Sequence, residues 1–109
     1  MSTAPAAADR VFAALADPNR RLIVELIATH GPATPTALSA ELAISRQGAS
    51  KHLAGLAEAG IVEAERSGRE VRYALVRDGL APGSVWLERV GGQWDRRLAA
   101  LERHVKRTA

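Results

Sequence analysis

The chain is 109 residues long, carries fifteen Lys and Arg against twelve Asp and Glu for a formal charge of +3, and contains no Cys. That length sets one domain, burying somewhat over ~60% of its unfolded surface around a modest core. The missing Cys exclude disulfides and every thiolate metal site, while thirteen of the fifteen basic residues are Arg, whose planar fork clasps a phosphate or a guanine edge with two parallel hydrogen bonds.

Residues 1–8 are small, uncharged and aperiodic and are expected to form a disordered tail ahead of a single folded domain over 9–106. They hold neither a basic leader nor an apolar run of signal-peptide length, and no later stretch suits a membrane span, so a cytoplasmic protein without a membrane partner is expected. Asp9 reads as the cap of a short first helix, 9–16, that carries Val11, Phe12 and Leu15. Asp17-Pro18 opens a second helix, since a proline's missing N–H costs nothing at the first helical position. Its apolar side is Leu22, Ile23, Leu26 and Ile27, and Gly31-Pro32 ends it.

Thr34-Pro35 repeats the cap-and-proline device and starts a third helix with Leu38 and Leu42 inward. Within three residues Ser45 caps a fourth, in which Ala49, Leu53, Leu56 and Ala57 share one face and Arg46, Gln47, Ser50, Lys51 and Ala54 point elsewhere. Two short helices joined so tightly form a helix-turn-helix, and the second has a small, polar, cationic outer face suited to a major groove.

After Ala59-Gly60, the run Ile61 to Arg66 alternates with period two, Ser67-Gly68-Arg69-Glu70 makes a turn, and Val71, Tyr73 and Leu75 share one face of a second strand. This hairpin is expected to present Arg66, Arg69 and Arg72 together at one end. Residues 78–83, with Pro82, read as a loop before a last helix over 84–106. Along that helix Leu87, Val90, Trp94, Leu98, Leu101 and Val105 recur at spacings of three and four, with Trp86 beside them. The stripe exceeds what four short helices can cover, so it is expected to meet a second copy of itself. Gly91-Gly92 weakens the helix there by roughly 1 kcal/mol per glycine relative to alanine. The expected fold is mainly α with a small β-hairpin, in the order α-α-α-α-β-β-α.

Catalysis finds no footing in this pattern. Ser50 and His52 stand two apart on a helix and do not face one another, and Gly91-Gly92 lies within a helix instead of after a strand. No catalytic residue and no cofactor are expected.

Leu15-Ala16-Asp17-Pro18-Asn19-Arg20-Arg21, Leu42-Ala43-Ile44-Ser45-Arg46-Gln47, Ser50-Lys51-His52-Leu53, Leu56, Ala59-Gly60-Ile61-Val62, Arg66-Ser67-Gly68-Arg69 and Tyr73-Ala74-Leu75 together resemble the arsenical-resistance repressor (ArsR) family of winged helix-turn-helix repressors, over roughly residues 9–106. The resemblance implies a homodimer joined through the first and last helices. Its interface would draw on Val11, Phe12 and Leu15 with Trp86, Leu87, Val90, Trp94, Leu98, Leu101 and Val105. It also implies sequence-specific binding of double-stranded DNA at an inverted repeat, and repression by occluding polymerase.

Carried onto this sequence, the recognition positions are Ser45, Arg46, Gln47, Ser50, Lys51 and His52, and the wing positions are Arg69 and Arg72, beside Arg66. Gln47 suits adenine N6/N7 and Arg46 suits guanine or phosphate. His52 has a second reading, a hydrogen bond within the fold, and Arg20 reads as a brace. Thiolate sensors of the family place Cys in the third helix, where Ala37 to Glu41 stand here, and Asp95, Glu102 and His104 make a poor zinc site with one His at the wrong spacing. The chain therefore resembles a metal-independent branch, with no metal ligand expected and an unidentified small-molecule inducer left open as a partner. The rival readings are a winged-helix protein-interaction or assembly module and a non-thiolate metal sensor.

Overall fold

The computed structural model describes residues 4–108, and among these it forms five helices and one antiparallel hairpin. The first helix, α1 (Ala4–Leu15), starts five residues ahead of the expected cap at Asp9. The disordered tail is thus corrected for residues 4–8, while Met1, Ser2 and Thr3 lie outside the described residues. Alanine is the strongest helix former, and Ala8, Val11 and Ala14 make a buried side of α1 that extends the helix backwards.

The next three helices begin where side chains accept backbone N–H groups that the first turn leaves unpaired. Asp17 accepts from Asn19 at 2.8 Å and opens α2 (Pro18–His30). Thr34 accepts from Ala37 at 3.1 Å and opens α3 (Pro35–Leu42). Ser45 accepts from Gly48 at 2.9 Å and opens α4 (Arg46–Glu58). Between α1 and α2 the Arg21 guanidinium donates to the Leu15 and Ala16 carbonyls at 2.7 and 3.0 Å, closing the end of α1.

Ile23, Val24 and Ile27 of α2, Leu38 of α3, Ala49, Leu53 and Leu56 of α4, and Ile61 and Val62 beyond it form the core with Val11 and Ala14. Leu22, expected inward, is 45% exposed, and Val24 is buried in its place. Leu22 and Val24 stand about 100° to either side of the buried Ile23, so the packing partner decides which of the two enters.

The hairpin pairs β1 (Val62–Ser67) with β2 (Glu70–Leu75), in register from Val62↔Leu75 to Ser67↔Glu70. Its two-residue turn has Gly68 at φ +63°, a conformation that L side chains resist. Ala33 and Tyr73 exchange backbone hydrogen bonds of 3.1 and 2.8 Å, which fasten the hairpin to the segment ahead of α3.

The last helix, α5 (Ala81–Thr108), runs 28 residues and starts three residues before the expected Ser84. Pro82 falls in its first turn, where the missing N–H has no intrahelical use. A Cβ on Gly83 would lie 3.0 Å from Val11 Cγ1, so α1 and α5 cross at close range, and Phe12 meets Trp86 edge-to-face with centroids 5.5 Å apart. Val11 is 2% exposed in this contact, which corrects its place among the dimer residues: it has almost no surface left for a partner. Beyond α1 the helix projects from the body. The extents are 68 × 33 × 20 Å and the radius of gyration is 18.7 Å, where a compact chain of this length measures roughly 13 Å.

Candidate nucleic-acid interface

The turn joining α3 to α4 is Ala43-Ile44-Ser45. It closes because Ala43 adopts the left-handed conformation (φ 53°, ψ 41°), which lets the Ala43 and Ile44 N–H groups both reach the Ser39 carbonyl. Helix α4 then leaves the turn with Ala49, Leu53 and Leu56 wholly buried, and that anchoring fixes its outer face. At about 100° per residue, Arg46, Ser50, Ala54, Gln47 and Lys51 share an arc of about 140°. Arg46, Gln47, Lys51 and Ala54 are exposed and Ser50 is half-buried.

Ser45 is the expected cap, and of the two readings of His52 the structure shows the hydrogen bond within the fold. The Ser45 hydroxyl oxygen is engaged as the α4 cap, which leaves its proton free to donate. His52 stands about 170° round the helix from the middle of the outer arc. Its Nδ1 accepts the Arg20 Nε–H at 3.3 Å, so it serves α2 and is removed from the reading face. Arg20 was read as a brace, but this particular joint was not foreseen. The available signal was Gly55, a glycine in mid-helix where the backbone must be approached closely.

The hairpin also departs from expectation. Its register sets Arg66 across from Val71 and Arg72 across from Glu65, so these two arginines stand near the tip but on opposite faces of the hairpin. Arg72 is held by Glu70, Nη2 to Oε2 3.2 Å and Nε to Oε2 3.3 Å, with both side chains about half exposed. Such a surface pair contributes about 0.2–1 kcal/mol. Arg72 lines a cleft of about 430 Å³ with His30, Glu41 and Glu70.

Arg69, at the tip, instead shares a groove of about 500 Å³ with Arg46, with Thr34, Thr36 and Ala37 at the start of α3, and with Glu70, whose carboxylate Arg72 engages. Two guanidinium groups and a helix N-terminus facing one groove suit the phosphate backbone of a duplex. Thr34 and Thr36 were absent from the sequence-based site, although the free N–H groups at the start of any helix attract anions.

On α5 the apolar stripe lies in the open: Trp94 is 59% exposed, Leu101 58%, Leu87 56% and Val105 55%. Trp86, Val90 and Leu98 are nearly 40% exposed, and Val85, which the periodicity passed over, reaches 59%. Phe12 and Leu15 are half-buried beside α5. Among the described residues no three His, Asp or Glu side chains gather within reach of one ion, and no helix is long and apolar enough to cross a membrane. Asp17 is held below the ordinary carboxylate range, chiefly because it accepts the Asn19 N–H.

A helix-turn-helix backed by two further helices and followed by a hairpin defines a winged helix-turn-helix protein. The HTH_20 helix-turn-helix domain family matches residues 15–65. The HTH-type transcriptional regulator CmtR of Mycobacterium tuberculosis is 44% identical over 73 residues, which span 66% of this chain and 60% of CmtR. The chain thus covers less than two thirds of that relative's length. An ArsR-like transcriptional regulator from Rhodococcus sp. RHA1 superimposes with a TM-score of 0.76 at 37% identity, covering 94% of this chain and 95% of its own. The homodimeric winged helix-turn-helix DNA-binding domain Mb0332 of Mycobacterium bovis matches with a TM-score of 0.64 at 26% identity, covering 84% of this chain and 83% of its own. The chain belongs to the ArsR-like family of winged helix-turn-helix transcriptional regulators.

Proposed function

We propose that the chain is a sequence-specific transcriptional regulator that binds double-stranded DNA as a homodimer and represses by covering an inverted-repeat operator. The carrying observation is the outer arc of α4, where Arg46, Gln47 and Lys51 stand exposed on a helix whose opposite side is locked in the core. Gln47 reads adenine, Arg46 takes guanine or phosphate, and Ser45, Ser50 and Lys51 add contacts along the groove. Arg69 grips a phosphate from the wing. Arg66 and Arg72, on the two faces of the hairpin, contribute field more than contact.

The second half of the proposal is the dimer. A projecting 28-residue helix with an open apolar stripe is covered when a second copy packs against it, and the family likeness to a homodimeric domain supports that arrangement. Phe12, Leu15, Trp86, Leu87, Val90, Trp94, Leu98, Leu101 and Val105 line this interface. The regulator works in the cytoplasm beside its DNA, performs no catalytic step, needs no metal, and answers to a small-molecule inducer if it has one.

Selection from random duplexes with the purified chain is the direct test. Enrichment of an inverted repeat with half-site centres about 10–10.5 base pairs apart is expected, with log K falling against log salt by about 0.9 per phosphate contact. Failure to bind any duplex in dilute buffer overturns the proposal and favours a protein-interaction module.

A further inference from the structure

Gly55 stands inside α4, where only proline is a poorer helix former. A Cβ at this position would lie 2.6 Å from Arg20 Cζ and Nη2 and 2.8 Å from Nη1. The guanidinium therefore rests on the bare backbone of α4 while its Nε–H donates to His52 Nδ1 at 3.3 Å. Arg20 reaches over from α2, Gly55 leaves the space, and His52 supplies the acceptor, all on the side of α4 away from its outer arc.

The charged groups around this joint come from three helices. Arg20 and the capping Asp17 belong to the start of α2, and the Asp17 carboxylate feels both His52 and Arg20. Arg10 of α1 and Glu58 of α4 line the cleft of about 360 Å³ that Arg20 and Gly55 share.

We infer that Arg20 and Gly55 are positioning residues for DNA reading: the guanidinium, seated on Gly55 and bonded to His52, fixes the rotation of α4 about its own axis and thereby the aim of Gln47 and Arg46. This rests on α4 being the recognition helix. Contacts to base edges depend on direction, while contacts to phosphates tolerate a few degrees of roll. Loss of the joint therefore lowers the preference for operator over random sequence more than it lowers affinity for DNA in general.

The test measures Kd for the selected operator and for a scrambled duplex of equal length, with the full chain at pH 8. Arg20→Met and Gly55→Ala are each expected to cut the operator-to-scrambled preference by about tenfold at pH 8, the worth of one charge-assisted hydrogen bond. The scrambled duplex is expected to bind within twofold of wild type. The double variant is expected to lose no more than either single one, because both remove the same joint. Introduced into the Arg20→Met chain, Gly55→Ala is expected to raise Tm, since alanine is the better helix former, so specificity and stability separate.

His52→Gln, whose amide oxygen can still accept from Arg20, is expected to hold the operator preference near the wild-type value. Wild-type preference in both single variants, additive losses in the double variant, or equal losses on both duplexes overturns the inference. A wild-type chain that ignores every duplex overturns the DNA-reading function instead, a distinct result seen before any variant is made.

Discussion

Leu101→Ala isolates the role of the projecting α5 helix. Burying a leucine fully contributes about 1.5–3 kcal/mol. Leu101 is 58% exposed in the single chain, so covering what remains open contributes about 1–1.7 kcal/mol per copy by the same scale. A two-fold interface holds the residue twice, and the substitution keeps Cβ, so the dimer is expected to weaken by about 2–3 kcal/mol, or roughly 30- to 150-fold in Kd. The fold of each chain should survive, because Leu101 lies outside the core and alanine favours helix. Sedimentation equilibrium over a concentration series reads the change directly, with circular dichroism as the control for folding. A wild-type chain that stays monomeric at tens of micromolar, or a folded variant with unchanged self-association, refutes the assignment of this stripe to a second copy.

Gln47→Ala should lower affinity by about 1–3 kcal/mol at particular base pairs and relax choice there; equal weakening on every sequence in a mutated-operator series would count against direct readout. Arg69→Ala should weaken all duplexes alike and reduce the salt slope by about 0.9, as measured by titration at several salt concentrations. Ala43→Gly removes a left-handed alanine, which costs about 1–2 kcal/mol, against an entropic loss of about 0.4–1 kcal/mol, so denaturant titration should show a net gain of about 0.5–1 kcal/mol. The Asp17 carboxylate is stabilised as the anion in the folded chain. Its contribution is therefore present above the unfolded carboxylate value of about 4 and disappears as pH falls through the lower folded value. Wild type should exceed Asp17→Asn in chemical denaturation at pH 6 and converge with it near pH 2.

The helix starts at Pro18, Pro35 and Arg46 were legible because each is set by one cap and its neighbours, all within four residues. The starts of α1 and α5 were not: Leu80, ahead of α5, has no side chain that could cap it, and the start of α1 carries no local stop signal. Alanine propensity and the close crossing of Val11 with Gly83 decide them, a contact between residues 72 positions apart. Val24 could not be told from Leu22, as both are apolar and only the packing partner chooses. On the outer face of α4, Arg46, Gln47 and Lys51 stand where periodicity put them, and the same periodicity turns His52 away; what only the fold supplies is its partner, Arg20, 32 residues upstream. The division of Arg66 from Arg72 was within reach: a two-residue turn at Gly68-Arg69 pairs Ser67 with Glu70, and strand alternation then sends those arginines to opposite sides.

The two short backbone bonds between Ala33 and Tyr73 weld the wing to the stretch that launches α3. A hairpin tied at its root cannot swing to follow its ligand, so the span from Arg69 to Gln47 behaves as a fixed calliper. On the proposed DNA reading, a duplex whose groove is too wide or too narrow must deform to satisfy both jaws, the cost of that deformation varies with base sequence, and some discrimination is expected at base pairs that no side chain touches.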